Sequence, residues 1–338
     1  MLKPWKTDVP IVINFFVRPA IFEKTFECIR NARPRVLFLI SDGPRENSPS
    51  DVENIRRCRE IVEDRDWECE VYKIYNETNK GLFDTYFDSM KQVFQIVDRC
   101  IFLEDDLIAA QSFFPYCAYL LEKYENDLRV HYISGVNYMG EYDEPDGDYF
   151  FCGEGAITGY AIWKRTFDSM NFAFRENKYA IRCSIDVAKQ LKPGYEKRIK
   201  KTVNDPMWEG HIPHVEFFKN LLRFTENQIY IVPCKNQISH IGVGDGSMHN
   251  PGTLKKIPAG WRQIHFQPVY EIDMPMKDPE FCVRDLKYER YVNKVLAWNS
   301  PIRCGWRKMV SLLRAIQYGD FSRIIYKFIH IFKKDSKR

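Results

Sequence analysis

Residues 99–107 read Arg99-Cys100-Ile101-Phe102-Leu103-Glu104-Asp105-Asp106-Leu107, a short apolar run ending in three adjacent acids. The run through Leu103 fits a strand buried on both faces. Three neighbouring carboxylates repel one another and cost desolvation, so they are poor core residues. Around a divalent cation they become sensible, and their hard oxygens suit Mg²⁺ or Mn²⁺. The alternative is an acid-rich helix start, with Asp105 or Asp106 capping the helix that holds Phe113.

Upstream, strands and helices alternate. Ile11–Val17 reads as a buried strand, and 20–33 as a helix with Phe22, Phe26 and Ile29 on one face. Val36–Ile40 is a second strand, stopped by Ser41-Asp42-Gly43-Pro44, and Ser50 or Asp51 can cap a helix running to about Asp64. Glu68–Tyr75 alternates as a third strand, broken at Asn79-Lys80-Gly81 before a helix over 82–96. This rhythm predicts an α/β fold with a mostly parallel sheet covered by helices. Such sheets bind ligands beyond the carboxyl ends of their strands, where Arg18, Ser41-Asp42-Gly43, Asn79-Lys80-Gly81 and Glu104-Asp105-Asp106 all fall.

Downstream the rhythm changes. A helix over 111–125 and a strand over 130–134 lead to a Gly- and Tyr-rich stretch, a strand within 150–163 and a helical region over 166–200. After a loop, 215–224 reads as a helix, 229–232 as a strand, and 239–262 as a Gly- and His-rich substrate loop.

The stretch 101–114 (IFLEDDLIAAQSFF) resembles the metal-binding segment of GT-A glycosyltransferases, closest to the N-acetylglucosaminyltransferase I type and to bacterial capsule and lipopolysaccharide enzymes. The resemblance covers about residues 9–250 and implies a nucleotide-diphospho-sugar transferase fold with a mixed, mostly parallel sheet. It implies Asp106 as direct metal ligand, with Glu104 and Asp105 nearer the ribose or the ion's waters. Arg18 and Asp42 match positions that hold the nucleotide base, and Asn79-Lys80-Gly81 matches the loop over the nucleoside. Ser41 and Gly43 flank Asp42 in the same group. Read without the family, Asp42 can accept from a ring N–H or be a turn aspartate. Arg18 can bond or stack on a base, or simply end an edge strand.

Sugar transfer to a hydroxyl needs a base for the released proton. The resemblance implies a Gly-rich donor-sugar strand, here Gly153–Gly159 with Gly155 and Thr158, followed by an acid near a tryptophan. Asp205, in Asn204-Asp205-Pro206-Met207-Trp208-Glu209, is the first candidate for the base, Asp186 the competitor and Glu209 the third; Asp205 could equally shape an Asp-Pro turn. The stretch Ser239–His249 has glycines at 242, 244 and 246 and resembles a loop closing over the diphosphate. His249 would contact phosphate or complete the metal shell, and His240 would do so less directly; the plain reading of His249 is an exposed loop histidine. His211 and His214 have metal-like spacing but no third ligand near them in sequence.

Composition bounds these readings. The 338 residues are 45% hydrophobic and 28% charged, which excludes wholesale disorder. A net charge of +4 is too small to favour nucleic-acid binding. The ten cysteines form no CxxC pair, arguing against a zinc knuckle and for a reducing compartment. Neither a signal-like start nor a spanning run of apolar residues is present in the sequence. Residues 303–338 carry +8, leaving −4 for the rest, and their apolar positions recur at helical spacing. That pattern predicts a basic amphipathic tail on an anionic membrane surface, or a terminal helix packed on the body.

The expected organisation is a nucleotide-binding half (1–135), a donor-sugar and acceptor half of the same domain (136–270), a linker (271–302) and the basic helical tail. The expected function is metal-dependent transfer of a hexosyl or N-acetylhexosaminyl group from a nucleotide-diphosphate sugar to a saccharide or lipid-linked acceptor. The reaction would be inverting and serve surface polysaccharide synthesis at the cytoplasmic face of the membrane. The alternatives are a sugar-phosphate nucleotidyltransferase, disfavoured by the lack of glycine between Ile11 and Phe22, and a non-catalytic carbohydrate-binding or scaffold protein.

Overall fold

The apolar runs at 11–15, 36–41 and 99–104 lie side by side as the parallel centre of one sheet. The computed structural model describes residues 2–204, 215–243, 254, 257, 262, 264–296 and 300–318. Its strands are β1 (Ile11–Phe15), β2 (Val36–Ser41), β3 (Glu70–Tyr75), β4 (Arg99–Glu104), β5 (Leu107–Ala109), β6 (Val130–Ser134), β7 (Tyr149–Cys152), β8 (Tyr160–Trp163), β9 (Ile229–Pro233) and β10 (Ile238–His240). Eight of them form one sheet in the order β3-β2-β1-β4-β8-β6-β9-β7, and β10 pairs with β5 as a separate antiparallel ribbon. The pairs β1–β2, β1–β4, β2–β3 and β6–β9 are parallel, whereas β8 runs antiparallel to β4 and β6, and β7 to β9. The protein is thus α/β with a mixed, mostly parallel sheet flanked by helices.

Because alternate residues of a strand point to opposite faces, the buried sheet makes two cores. Ile11, Ile13, Leu37, Leu39, Ile101 and Leu103 pack under α1 (Pro19–Ala32), α2 (Ser50–Glu63) and α4 (Phe113–Lys123). Val12, Phe38, Ile40, Phe102, Tyr132, Tyr160 and Tyr230 face α3 (Leu82–Ile96), α6 (Lys178–Leu191), α7 (Tyr195–Val203) and α8 (Val215–Thr225). Helix α1 follows from Pro19 in its first turn and from Phe22, Phe26 and Ile29 on one face; it stops where Arg33 turns left-handed (φ 45°) before Pro34.

Several expectations need correcting. Neither Ser50 nor Asp51 caps α2; Asp51 is buried and pairs instead with Arg45, at 2.7 Å from its Nε. The strand expected within 150–163 is two strands, because the glycine-bearing connection 153–159 crosses one sheet face between them. The helix expected over 166–200 is interrupted at Pro193-Gly194, where Gly194 takes φ 98°, and is preceded by the short α5 (Lys164–Asp168) and a 3₁₀ turn (Phe172–Glu176). Residues 271–296 are packed structure rather than a linker. Helix α9 (Leu286–Leu296) buries Tyr288 and Val292 on the sheet, and its Glu289 accepts from Gly153 N–H at 2.7 Å. A final helix, α10, spans Pro301–Gln317.

Candidate functional site

The chain runs outward from β1 to β2 and β3, then returns to lay β4 on the other side of β1. Crevices form beyond the strand ends at such a switch. Here the carboxyl ends of β1 and β4 lie together, bringing Arg18 to Asp105 and Asp106.

The acidic turn is tied down from both sides. Thr25 on α1 donates its hydroxyl to the Asp105 carbonyl (2.9 Å) and accepts from Leu107 N–H (3.1 Å). The Arg18 guanidinium binds both carboxylates: Nη2 donates to Asp105 Oδ1 and, at 3.0 Å, to Asp106 Oδ2, while Phe16 N–H reaches Asp105 Oδ2 at 3.4 Å. Arg18 is thereby tied to the acids across the gap between β1 and β4. Burial raises the Asp105 carboxyl to about 6 against the opposing pull of Arg18. Burial, with Asp106 beside it, lifts Glu104 to about 8.

The helix-capping alternative for these acids does not hold. The strand β5 separates them from α4, and the two N–H groups just before that helix, at Gln111 and Ser112, are taken by the Glu271 carboxylate at 3.0 and 2.7 Å. The acids are thereby left at the crevice, and nothing in the local pattern around 271 announced Glu271 as their substitute.

The β5–β10 ribbon carries a second group to the same place. His240 pairs with Leu107, and Ile241 N–H donates to the Asp106 carbonyl at 2.8 Å. His240 Nε2 lies 3.5 Å from Asp106 Oδ2, while its Nδ1 is 3.3 Å from Gly242 N–H and 3.0 Å from His265 Nδ1. Burial and the neighbouring His240 push His265 down to about 4, so it is neutral at pH 7. Gly242 is required by close approach: a Cβ there would lie 1.8 Å from Asp106 Oδ2. His265 was missed in the sequence because no periodicity or spacing links it to residues 25 or 159 positions away.

Asp42 organises the neighbouring loop. Its Oδ1 accepts from Gly43 N–H (2.9 Å), Asn76 Nδ2 (3.0 Å) and Lys80 N–H (3.0 Å), and its Oδ2 accepts from Asn79 Nδ2 (3.0 Å) and Gly81 N–H (2.9 Å). Five protein donors surround the carboxylate, which knits β2 to the 76–81 loop. Gly43 permits the close packing, since a Cβ would sit 2.4 Å from the Thr78 carbonyl carbon. Ser41 is buried and receives Arg59 Nε at 3.3 Å, and the Lys80 amine pairs with Asp88 at 3.3 Å. Gly81 enters α3 with φ 83°.

On the other sheet face, Lys219 is buried beside Glu104. Its amine donates to Tyr160 Oη at 2.8 Å, lies 4.4 Å from the Tyr86 ring centroid, and is pushed down to about 8 by burial. Deeper in the same core, Glu154 binds Lys192 (2.7 Å) and Arg223 (2.8 Å) in a triad with every member at most 5% exposed at its side chain. This anchors the 153–159 connection under α6 and α8. Gly155 meets the Tyr230 ring, where a Cβ would lie 2.1 Å from Cδ1, so the lack of a side chain is required by this packing. Thr158 is half-buried in the same connection.

Of the proposed bases, Asp186 faces solvent from α6 with a side chain 58% exposed and paired with Lys189 at 2.8 Å. Asp205, Glu209, His211, His214 and His249 lie outside the described residues. Among the described residues no three Asp, Glu, His or Cys side chains converge closely enough to hold an ion unaided. Asp106 and His240 form a partial set whose oxygen and imidazole donors suit Mn²⁺. Nine of the ten cysteines, all but Cys304, are free thiols.

No family model and no curated protein matches this chain. A solved structure described as the crystal structure of apo UDP-glucose pyrophosphorylase is similar to it at 12% identity, over 71% of this chain and 93% of that one, with a TM-score of 0.33. A likeness of that size carries no argument about the site.

Proposed function

We propose that this chain is a metal-dependent glycosyltransferase of GT-A type, moving a sugar from a nucleotide diphosphate to a saccharide or lipid-linked acceptor. The observation that carries the reading is the convergence on Asp106 of three separate parts of the chain: Arg18 after β1, the acidic turn after β4, and His240 of the β5–β10 ribbon. A buried pair of carboxylates with one guanidinium and a nearby imidazole is a device for handling phosphate and a divalent ion.

Asp106 and His240 would hold the ion, with His249 as the proposed third ligand. When bound, it supplies positive charge to a departing diphosphate. The chain's own residues do the rest. Asp42 holds the 76–81 loop as a rigid wall for the nucleoside. Arg18, held beside Asp105, would contact the donor's phosphates. His265 fixes His240 so that Nε2 faces Asp106. Asp205 is the proposed base, taking the acceptor hydroxyl's proton from the side opposite the diphosphate with inversion, and Glu209 is its reserve.

The test is a panel of nucleotide-diphosphate sugars in thermal shift with and without Mn²⁺, run on wild type and Asp106→Asn. A donor that binds the folded state raises the unfolding temperature by mass action. The expected result is a shift for one donor class that requires Mn²⁺ and disappears in Asp106→Asn. A shift seen only with a sugar 1-phosphate plus nucleoside triphosphate, together with pyrophosphate release, would move the assignment to nucleotidyl transfer. Binding of free saccharides with no nucleotide response would leave only a carbohydrate-binding role.

A further inference from the structure

Helix α10 turns its apolar side outward. Ser311 and Ala315, at 8% and 2% exposure, face the protein, whereas Ile302 (84%), Trp306 (64%), Met309 (43%), Leu313 (56%) and Ile316 (58%) are exposed. At 100° per residue these five fall within a stripe of about 80°, opposite the buried pair. A surface helix ordinarily buries that stripe. The helix is nonetheless fastened: Ser300 accepts from Arg303 N–H at 3.3 Å, Arg307 donates to the Leu296 carbonyl at 2.5 Å, and Arg314 donates to the Ile257 carbonyl at 2.7 Å.

The geometry points to an anionic lipid surface as the occupant of this stripe. Residues 301–318 contain Arg303, Arg307, Lys308 and Arg314 and no acid, and the sequence beyond them adds six basic residues against Asp320 and Asp335. Arg303 and Lys308 are the exposed cations flanking the stripe; a second copy of the same helix would bring like charges together there, whereas phosphate headgroups complement them. Trp306 in mid-stripe suits the level where acyl chains meet headgroups. No helix among the described residues is long and apolar enough to cross a membrane, so α10 lies along the surface. Arg314 donates to the Ile257 carbonyl, eight residues before His265, whose ring lies against His240. A membrane-borne acceptor would thus be delivered beside the site. The surface itself stands apart from the transferase reading, because its test needs no donor.

The test is co-sedimentation of the full chain with vesicles of phosphatidylcholine mixed with phosphatidylglycerol, with pure phosphatidylcholine as reference. Wild type should bind the mixed vesicles in a salt-sensitive way and leave the neutral ones. Arg303→Gln/Lys308→Gln should weaken the partition by about 10-fold to 30-fold. Trp306→Ser/Leu313→Ser should weaken it by about 10-fold or more. All four residues are exposed, so the unfolding temperature should hold; if one apolar pair misfolds, Ile302→Ser/Ile316→Ser replaces it. Variants that bind as tightly as wild type would overturn the proposal, as would equal binding to neutral vesicles. So would a concentration-dependent dimer that Trp306→Ser/Leu313→Ser abolishes while vesicle binding is absent.

Discussion

Asp42→Asn is the most informative single change, because it keeps the shape of the side chain and removes only its capacity to accept on both sides. With the remaining oxygen at the Oδ1 position, the bonds from Gly43, Asn76 and Lys80 survive; the new NH₂ then confronts two donors, Asn79 Nδ2 and Gly81 N–H. Hydrogen bonds to a charged acceptor are worth about 1.5–3 kcal/mol each, a gross loss of about 3–6 kcal/mol. The Asn79 amide keeps its bond to the Gly43 carbonyl at 2.9 Å and can turn toward water, so the closed loop should weaken by about 2–4 kcal/mol. Because every 1.4 kcal/mol is tenfold, the Gly81 amide should exchange about 30-fold to 700-fold faster. Amide exchange resolved at Lys80 and Gly81, with Ile40 in β2 as the unaffected reference, measures this directly. Protection at Gly81 within about threefold of wild type would refute the assignment of Asp42 as the anchor of the loop.

Glu154→Gln leaves Lys192 and Arg223 buried without their anion and should cost about 3–5 kcal/mol in urea unfolding; a loss below about 1 kcal/mol would show that the triad is not the anchor of the 153–159 connection. Gly242→Ala pushes a methyl group into the Asp106 carboxylate and should weaken Mn²⁺ binding by about tenfold or more while far-UV dichroism is unchanged, read by titration calorimetry. His131, buried and pushed down to about 3, is neutral in the folded protein, while its unfolded counterpart titrates near 6.5. The unfolded chain therefore binds the extra proton below pH 6.5, and the stability present above that value falls as pH drops toward 3, by up to about 1.4 kcal/mol per unit. Urea midpoints of wild type and His131→Asn, compared between pH 7 and 4, should converge, and a constant gap would contradict the burial argument.

The first half of the fold was legible because β1, β2 and β4 are buried on both faces and end in polar turns, while the edge strand β3 shows itself by alternation. The runs at 11–15, 36–41 and 99–104 need no partner to be recognised, and α3 follows from Gly81 and its apolar spacing. The second half was less legible because its signals conflict. Tyr149–Trp163 has strand-forming residues at both ends around a glycine-bearing middle, and the packing of Gly155 against Tyr230 shows how that middle crosses the sheet instead of joining it. The ribbon β5–β10 joins two three-residue segments 131 positions apart from Leu107 to Ile238, too short for periodicity to register. In the site, the acids were visible as an electrostatic anomaly, but their partner Arg18 and the Asp42 knot are products of strand order. Chain proximity cannot reveal them.

The ribbon between His240 and Leu107 has a consequence for when the protein becomes competent. The strands that carry Arg18 and Asp106 leave the ribosome early, but His240 and His265 follow Asp106 by 134 and 159 residues. At roughly 5–20 residues per second, about 8–30 s of synthesis separates Asp106 from His265. In that interval Arg18 is the counter-charge available to Asp105 and Asp106 from the elements already made. The amphipathic helix that follows emerges later still, so the crevice is completed before the chain has any means of settling on a lipid surface through α10.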